Sequence, residues 1–121
     1  MLGVPSSAGA HTWVGEGARG DSKCRAGGPL PGAAQDHGDV TAFRWRPDTE
    51  RPDAKNASAV ALVATETAAG VARILDAGQI PLVIGGDCSI TIGVIAGFRH
   101  RGLRPALLYC DGGPDLYTQA T

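Results

Sequence analysis

The chain has 121 residues, of which 43% are hydrophobic and 19% charged, and its formal net charge is −1. This length predicts one domain, and the apolar fraction is sufficient for a buried core. Without a basic patch the chain is a poor candidate for binding nucleic acid, and no apolar run reaches the roughly 18 residues that suggest a membrane span.

The first residues contain no basic start followed by an apolar stretch, so they predict no signal peptide, and the cytoplasm is the expected location. The three cysteines, Cys24, Cys88 and Cys110, are an odd number and lack the spacing of a disulfide framework. We interpret them as reduced thiols.

The chain begins with a stretch rich in Gly, Ala and Pro, Pro5–Asp39, in which no helix or strand of normal length fits. We therefore expect residues 1–39 to be poorly ordered, either as a disordered arm or as a long loop, and residues 40–121 to form the core of the domain. Val40–Trp45 has the composition of a short strand, and Arg46–Lys55 that of a charged, Pro-rich linker.

A helix is predicted from Ala57 to Ala77. Asn56 has a side chain that can cap its first turn, and Gly78 is a typical C-terminal stop. Apolar residues recur at helical spacing and form one stripe, namely Val60, Val63, Ala64, Val71, Ile74 and Leu75.

Two apolar runs, Ile80–Ile84 and Pro105–Cys110, are typical of strands buried on both faces of a parallel sheet. Between them Ile90–Arg101 is predicted to be a helix, capped by Ser89 and ended by Gly102. Strand, helix and strand in this order predict a right-handed βαβ unit.

That helix contains Gly93 and Gly97, which are unfavourable in a helix interior. We interpret them as positions at which the helix backbone approaches the sheet closely.

In a βαβ unit the carboxyl ends of both strands lie at one edge of the sheet, where ligands bind. Two segments leave that edge, Gly85–Ser89 and Asp111–Asp115, so three carboxylates and the Cys88 thiol are expected to share one rim. Adjacent anions favour a bound cation, and Asp111 and Asp115 offer the hard oxygens that suit manganese or magnesium, whereas Cys88 is softer.

Three alternatives to a metal site remain open at this rim. Asp-rich turns are often only solvated loops. Gly85 and Gly86 also precede a helix N-terminus that suits an anion, which leaves open a dinucleotide site, although the glycine spacing of such sites is absent, or a small α/β module that binds an anion at Ser89.

Pro81–Ile90 resembles the Gly-Gly-Asp-His-Ser motif of the ureohydrolases, the family of arginases, agmatinases and formiminoglutamases, and Tyr109–Leu116 is similar to their Asp-Ala-His-x-Asp motif. Gly3–Ala10 and Phe43–Asp48 also resemble stretches of this family. The resemblance implies a three-layer α/β/α fold with a parallel sheet, of which this chain holds an incomplete N-terminal part. It also implies two manganese ions that activate a bridging hydroxide for attack on a guanidino carbon. The resemblance is compatible with a homo-oligomer.

By the same resemblance, Asp111 corresponds to the bridging aspartate and Asp115 to a second metal ligand. Cys88 and Gly113 stand where the two motifs have metal-binding histidines, and Tyr117 stands where arginases use an asparagine to hold the substrate, so arginine is not the expected substrate. The family's later Asp-x-Asp motif is absent. We therefore expect either a truncated ureohydrolase or a fragment or decayed paralogue without turnover, with zinc as the alternative ion at a residual site.

Overall fold

The computed structural model of the chain describes residues 1–4, 6, 35–44, 46–50 and 54–111. Their elements are, in chain order, β1 (Leu2–Val4), α1 (Ala57–Asp76), β2 (Val83–Gly85) and α2 (Ile90–His100). β1 and β2 pair in parallel, with Leu2 opposite Val83 and Val4 opposite Gly85. This two-stranded parallel sheet with its two helices confirms the prediction of a partial α/β fold.

β1 is a strand that the sequence analysis did not predict, because three residues are too few to show an alternating pattern. Leu2 and Val4 are fully buried, and Leu2 packs with Val71 and Ile74 of α1 in the apolar core. The strand thus lies at the start of the range expected to be poorly ordered. Residues 7–34, which make up most of that range, lie outside the described residues.

The segment that follows lies along the other edge of β1. Gly3 donates its N–H to the carbonyl of Gly38 at 3.0 Å and accepts from Val40 at 2.9 Å. Among its described residues, the strand predicted at Val40–Trp45 shows a single parallel bridge, from Ser6 to Phe43, and Asp39 just before it bridges to Gly3.

α1 begins and ends close to the predicted residues, but the prediction for its N-terminal cap was wrong. Asn56 has a left-handed backbone, with φ 55°, and its side chain makes no capping bond. Instead it donates to the carbonyl of Arg46 at 3.0 Å, and the backbone N–H of Asn56 donates to Asp48 at 3.0 Å. Asn56 therefore holds the linker against the start of the helix.

The glycine predicted to end each helix does so. Gly78 has φ 70° and donates to the carbonyl of Leu75, while Gln79 donates to Ile74. Gly102 has φ 72°, and the same pair of bonds recurs after α2. A left-handed residue with these two bonds is the Schellman motif, for which glycine carries no steric penalty.

Gly93 and Gly97 approach α1 and not the sheet, which corrects the interpretation drawn from the sequence. A Cβ on Gly93 would lie 2.6 Å from the carbonyl oxygen of Ala64, and one on Gly97 would lie 2.7 Å from Val71 side-chain atoms. The two glycines therefore allow α2 to pack directly against α1.

The prediction of buried strands at both apolar runs needs correction. In the first run the strand is shifted to Val83–Gly85 and only partly buried, and Ile80 is 94% exposed. In the second run, Pro105–Cys110 forms no strand and every residue is exposed. Within the part of the chain that the structure describes, no strand lies beside this run to receive its backbone hydrogen bonds. The βαβ unit observed is therefore β1–α1–β2.

α1 is long and apolar enough, by length and composition, to cross a membrane. Core helices of soluble proteins meet the same criterion. One stripe of α1, which includes Val63, Ala68, Val71 and Ile74, is buried in this fold. We therefore assign α1 to the protein core.

Candidate metal-binding rim

The Gly85–Gly86 turn carries the chain across the carboxyl end of β1. Gly86 donates its N–H to the carbonyl of Val4 at 3.1 Å. A Cβ on Gly85 would overlap the Val4 carbonyl, and one on Gly86 would overlap the carbonyl of Ser6. Both positions therefore exclude side chains, and this close approach fixes where the next residues, from Asp87 onward, leave the sheet.

Asp87 and Ser89 form a local turn at the start of α2. Oδ1 of Asp87 accepts the backbone N–H of Ser89 at 2.8 Å and also the Ser89 hydroxyl. Ser89 makes no capping bond with its side chain, so the prediction of Ser89 as the cap was wrong. The carboxylate of Asp87 instead closes a turn onto Ser89, the residue just before α2, which orders the backbone on both sides of Cys88.

Two of the three predicted metal ligands come together at this rim. Sγ of Cys88 lies 3.8 Å from Oδ2 of Asp111, although 23 residues separate them in sequence. Both side chains belong to exposed residues. The third predicted ligand, Asp115, lies outside the described residues, as do Gly113 and Tyr117.

Tyr109 also belongs to this rim, where no role was predicted for it. Its hydroxyl donates to Oδ2 of Asp111, with 3.3 Å between the oxygens. The sequence could have indicated this contact, because Tyr109 and Asp111 are two residues apart, and residues at that spacing in an extended segment project to the same side.

Around these side chains lies an open cleft of about 350 Å³. It is lined by the turn after β2, the start of α2 and the end of the exposed segment, namely Gly85, Gly86, Asp87, Cys88, Ile90, Thr91, Tyr109, Cys110 and Asp111. The two described cysteines are both free thiols.

The spacing of Cys88 and Asp111 fits two ligands of one ion. With a zinc–sulfur bond of about 2.3 Å and a zinc–oxygen bond of about 2.0 Å, two ligands of a tetrahedral ion lie about 3.5 Å apart. The 3.8 Å observed is close to this value. Among the described residues, however, no group of three His, Cys, Asp or Glu side chains converges. These residues therefore provide half of a tetrahedral donor set.

In open parallel α/β sheets, ligands bind beyond the carboxyl ends of the strands, and the Cys88 thiol and the Asp111 carboxylate lie at that edge of this chain's sheet. The family model described as "Arginase family" matches residues 2–121. The chain therefore belongs to the arginase family, which confirms the ureohydrolase resemblance.

Individual arginases show the same relationship. The chain is 34% identical over 89 residues to an arginase of Bacillus caldovelox, a match that covers 72% of this chain and 30% of that protein. It is 34% identical over 87 residues to an arginase of Brevibacillus brevis, with 72% and 29% covered. It is 35% identical over 88 residues to Arginase-1 of Oryctolagus cuniculus, with 71% and 27% covered. The chain thus spans under a third of the length of these relatives, and no solved structure matches it.

Proposed function

We propose that this chain provides one metal-binding rim of a ureohydrolase that acts on the C–N bond of a small guanidino compound. The observation that carries the proposal is the contact of Cys88 with Asp111, 3.8 Å apart at the carboxyl end of β2. These two residues stand at metal-ligand positions of the two family motifs. Family membership supports hydrolysis of this class, and the contact supports the location of the metal.

The metal in this proposal is a divalent cation held by Cys88 and Asp111, with Asp115 as the further ligand that the resemblance implies. Manganese is the ion of the family, whereas the sulfur of Cys88 favours zinc, which accepts thiolate ligands readily. When bound, such an ion supplies Lewis acidity and activates water.

The side chains around the rim have separate tasks in this proposal. The Gly85–Gly86 turn sets the direction in which Cys88 leaves the sheet, and Asp87 fixes the backbone of that turn through Ser89. In the metal-free chain the hydroxyl of Tyr109 and the thiol of Cys88 both donate to Asp111 and hold its carboxylate at the cleft. A bound cation would take the place of the thiol proton, because cysteine binds metal as the thiolate, and Tyr109 would remain the donor to Asp111.

We further propose that the 121-residue chain by itself does not hydrolyse arginine or agmatine. Gly113 has no side chain to replace the histidine of the second family motif, and two-metal hydrolysis needs both ions fully held. This observation favours a second candidate, a catalytically inactive member of the family that retains part of the fold.

The turnover proposal is tested by incubating the purified chain with L-arginine or agmatine, with added manganese or zinc, and measuring urea. We expect no urea above that of a metal-free sample. Urea that depends on added metal and on Asp111, as judged with Asp111→Asn, would contradict the proposal of an inactive chain.

The metal proposal is tested by calorimetric titration with zinc and with manganese. We expect one weak site that prefers zinc, and a loss of at least tenfold in zinc affinity, about 1.4 kcal/mol, in Cys88→Ala. Cys110→Ala is the matched control, because Cys110 lines the same cleft but is not a proposed ligand. Two tight manganese sites, or equal effects of the two substitutions, would refute the ligand assignment.

A further inference from the structure

Tyr109 and Cys88 donate to the same atom, Oδ2 of Asp111. The Tyr109 hydroxyl reaches it from two residues back along the chain, and the Cys88 thiol reaches it from the turn before α2. The carboxylate is thus held between its own segment and the turn after β2. Neither family motif assigns a function to Tyr109.

The backbone around Asp111 makes these side-chain contacts important. Residues 104–111 form no strand and are exposed throughout. The position of the Asp111 side chain is therefore not fixed by a sheet, and contacts such as those with Tyr109 and Cys88 carry more of its ordering.

We propose that Tyr109 is a positioning residue, which orients the Asp111 carboxylate so that Oδ2 faces Cys88. A hydrogen bond from an outer group fixes the orientation of a metal-binding carboxylate, and its removal lowers metal affinity by about 10- to 100-fold. The 3.3 Å separation is longer than a typical O–H···O bond, and Tyr109 is 40% exposed. The expected effect therefore lies at the lower end of that range.

The effect of Tyr109 on the orientation of Asp111 exists in the metal-free chain and does not depend on a metal. The effect of Tyr109 on metal affinity rests on the proposed function. The two are measured separately, so that the failure of one is distinguishable from the failure of the other.

The metal-free measurement uses the full chain labelled with ¹³C at the aspartate side-chain carboxyl carbon. The Asp111 resonance is assigned as the signal lost in Asp111→Asn. Tyr109→Phe, which removes one oxygen atom, is expected to shift this resonance, while the helical circular dichroism signal stays unchanged. Thr91→Val is the matched control, because it removes a hydroxyl from the same cleft, and it is expected to leave the resonance in place.

The metal measurement is a zinc titration of the same three proteins, namely the unmodified chain, Tyr109→Phe and Thr91→Val. We expect about tenfold weaker zinc binding in Tyr109→Phe only. If the unmodified chain binds no zinc, the proposed metal site fails, and the carbon resonance still decides the role of Tyr109. An Asp111 resonance that is the same in Tyr109→Phe and the unmodified chain overturns the inference.

Discussion

Two apolar segments of this chain read alike in sequence and differ in the structure. Ile80–Ile84 leads into β2, which pairs with β1 and contributes Val83 to the edge of the core. Pro105–Cys110 has the same apolar character, yet it is exposed and forms no strand within the described part of the chain. A strand is stable only when a neighbour accepts its backbone hydrogen bonds and covers its faces. The comparison shows that composition marks a segment able to pair, whereas the presence of a partner determines whether it does.

The largest effect expected from this difference is on association. Exposed apolar side chains on a segment that is not covered by a sheet favour contact with other chains, and Leu108 is 89% exposed. We expect the purified chain to self-associate or to bind hydrophobic dyes, and we expect Leu108→Lys to reduce both. The measurements are light scattering and dye fluorescence. A monodisperse monomer with a sharp, reversible thermal transition would show that the exposed segment does not cause self-association.

The next largest effect is on the free energy of unfolding, and it is measured by truncating one apolar side chain in the core and one in the exposed segment. Ile74 is 1% exposed and belongs to the core, so Ile74→Ala should lower the free energy of unfolding by about 2–5 kcal/mol. Leu108→Ala should change it by less than about 0.5 kcal/mol, because its side chain already contacts water. Urea unfolding followed by circular dichroism, with an osmolyte to retain the folded state, measures both. Similar losses would mean that the two regions are packed alike.

A smaller change in stability is expected from a substitution at the contact between α1 and α2. Gly97→Ala would place a Cβ 2.7 Å from Val71 and 2.8 Å from the carbonyl oxygen of Ala68. We expect this crowding to lower the free energy of unfolding by about 1–3 kcal/mol, although alanine alone favours a helix over glycine by about 1 kcal/mol. The same unfolding assay decides the sign. Stabilisation by Gly97→Ala would show that α1 and α2 are further apart than described.

The smallest expected effect is an increase in the free energy of unfolding. Thr67 in α1 is fully buried, and its hydroxyl has no hydrogen-bond partner among the described residues. Burial of an unpaired hydroxyl is unfavourable, so Thr67→Val should raise the free energy of unfolding by about 1 kcal/mol. Thr65→Val is the control, because the exposed Thr65 hydroxyl donates to the Ala61 carbonyl at 2.8 Å. Destabilisation by Thr67→Val would indicate that this hydroxyl does have a partner.

The candidate rim was predictable in part. The two motifs indicated Cys88 and Asp111, and the expectation that they share one edge of a sheet agrees with their contact. The predicted strand at Pro105–Cys110, on which that expectation was based, is absent, and this segment reaches the rim without forming a strand. The turn that Asp87 forms with Ser89 and the hydrogen bond from Tyr109 were not predicted, since each depends on a side-chain orientation that residue order leaves open.

The sequence by itself determined the features that depend on a few neighbouring residues. The two helices end where Gly78 and Gly102 adopt left-handed backbones, because glycine alone does so without steric cost. Only the tertiary structure decided features that need residues far apart in the chain. The approach of Gly93 and Gly97 to α1, the pairing of β1 with β2 and the exposure of Pro105–Cys110 all depend on which surface lies opposite. Packing and strand pairing are interactions between distant segments, and local pattern specifies only one of the two surfaces that each requires.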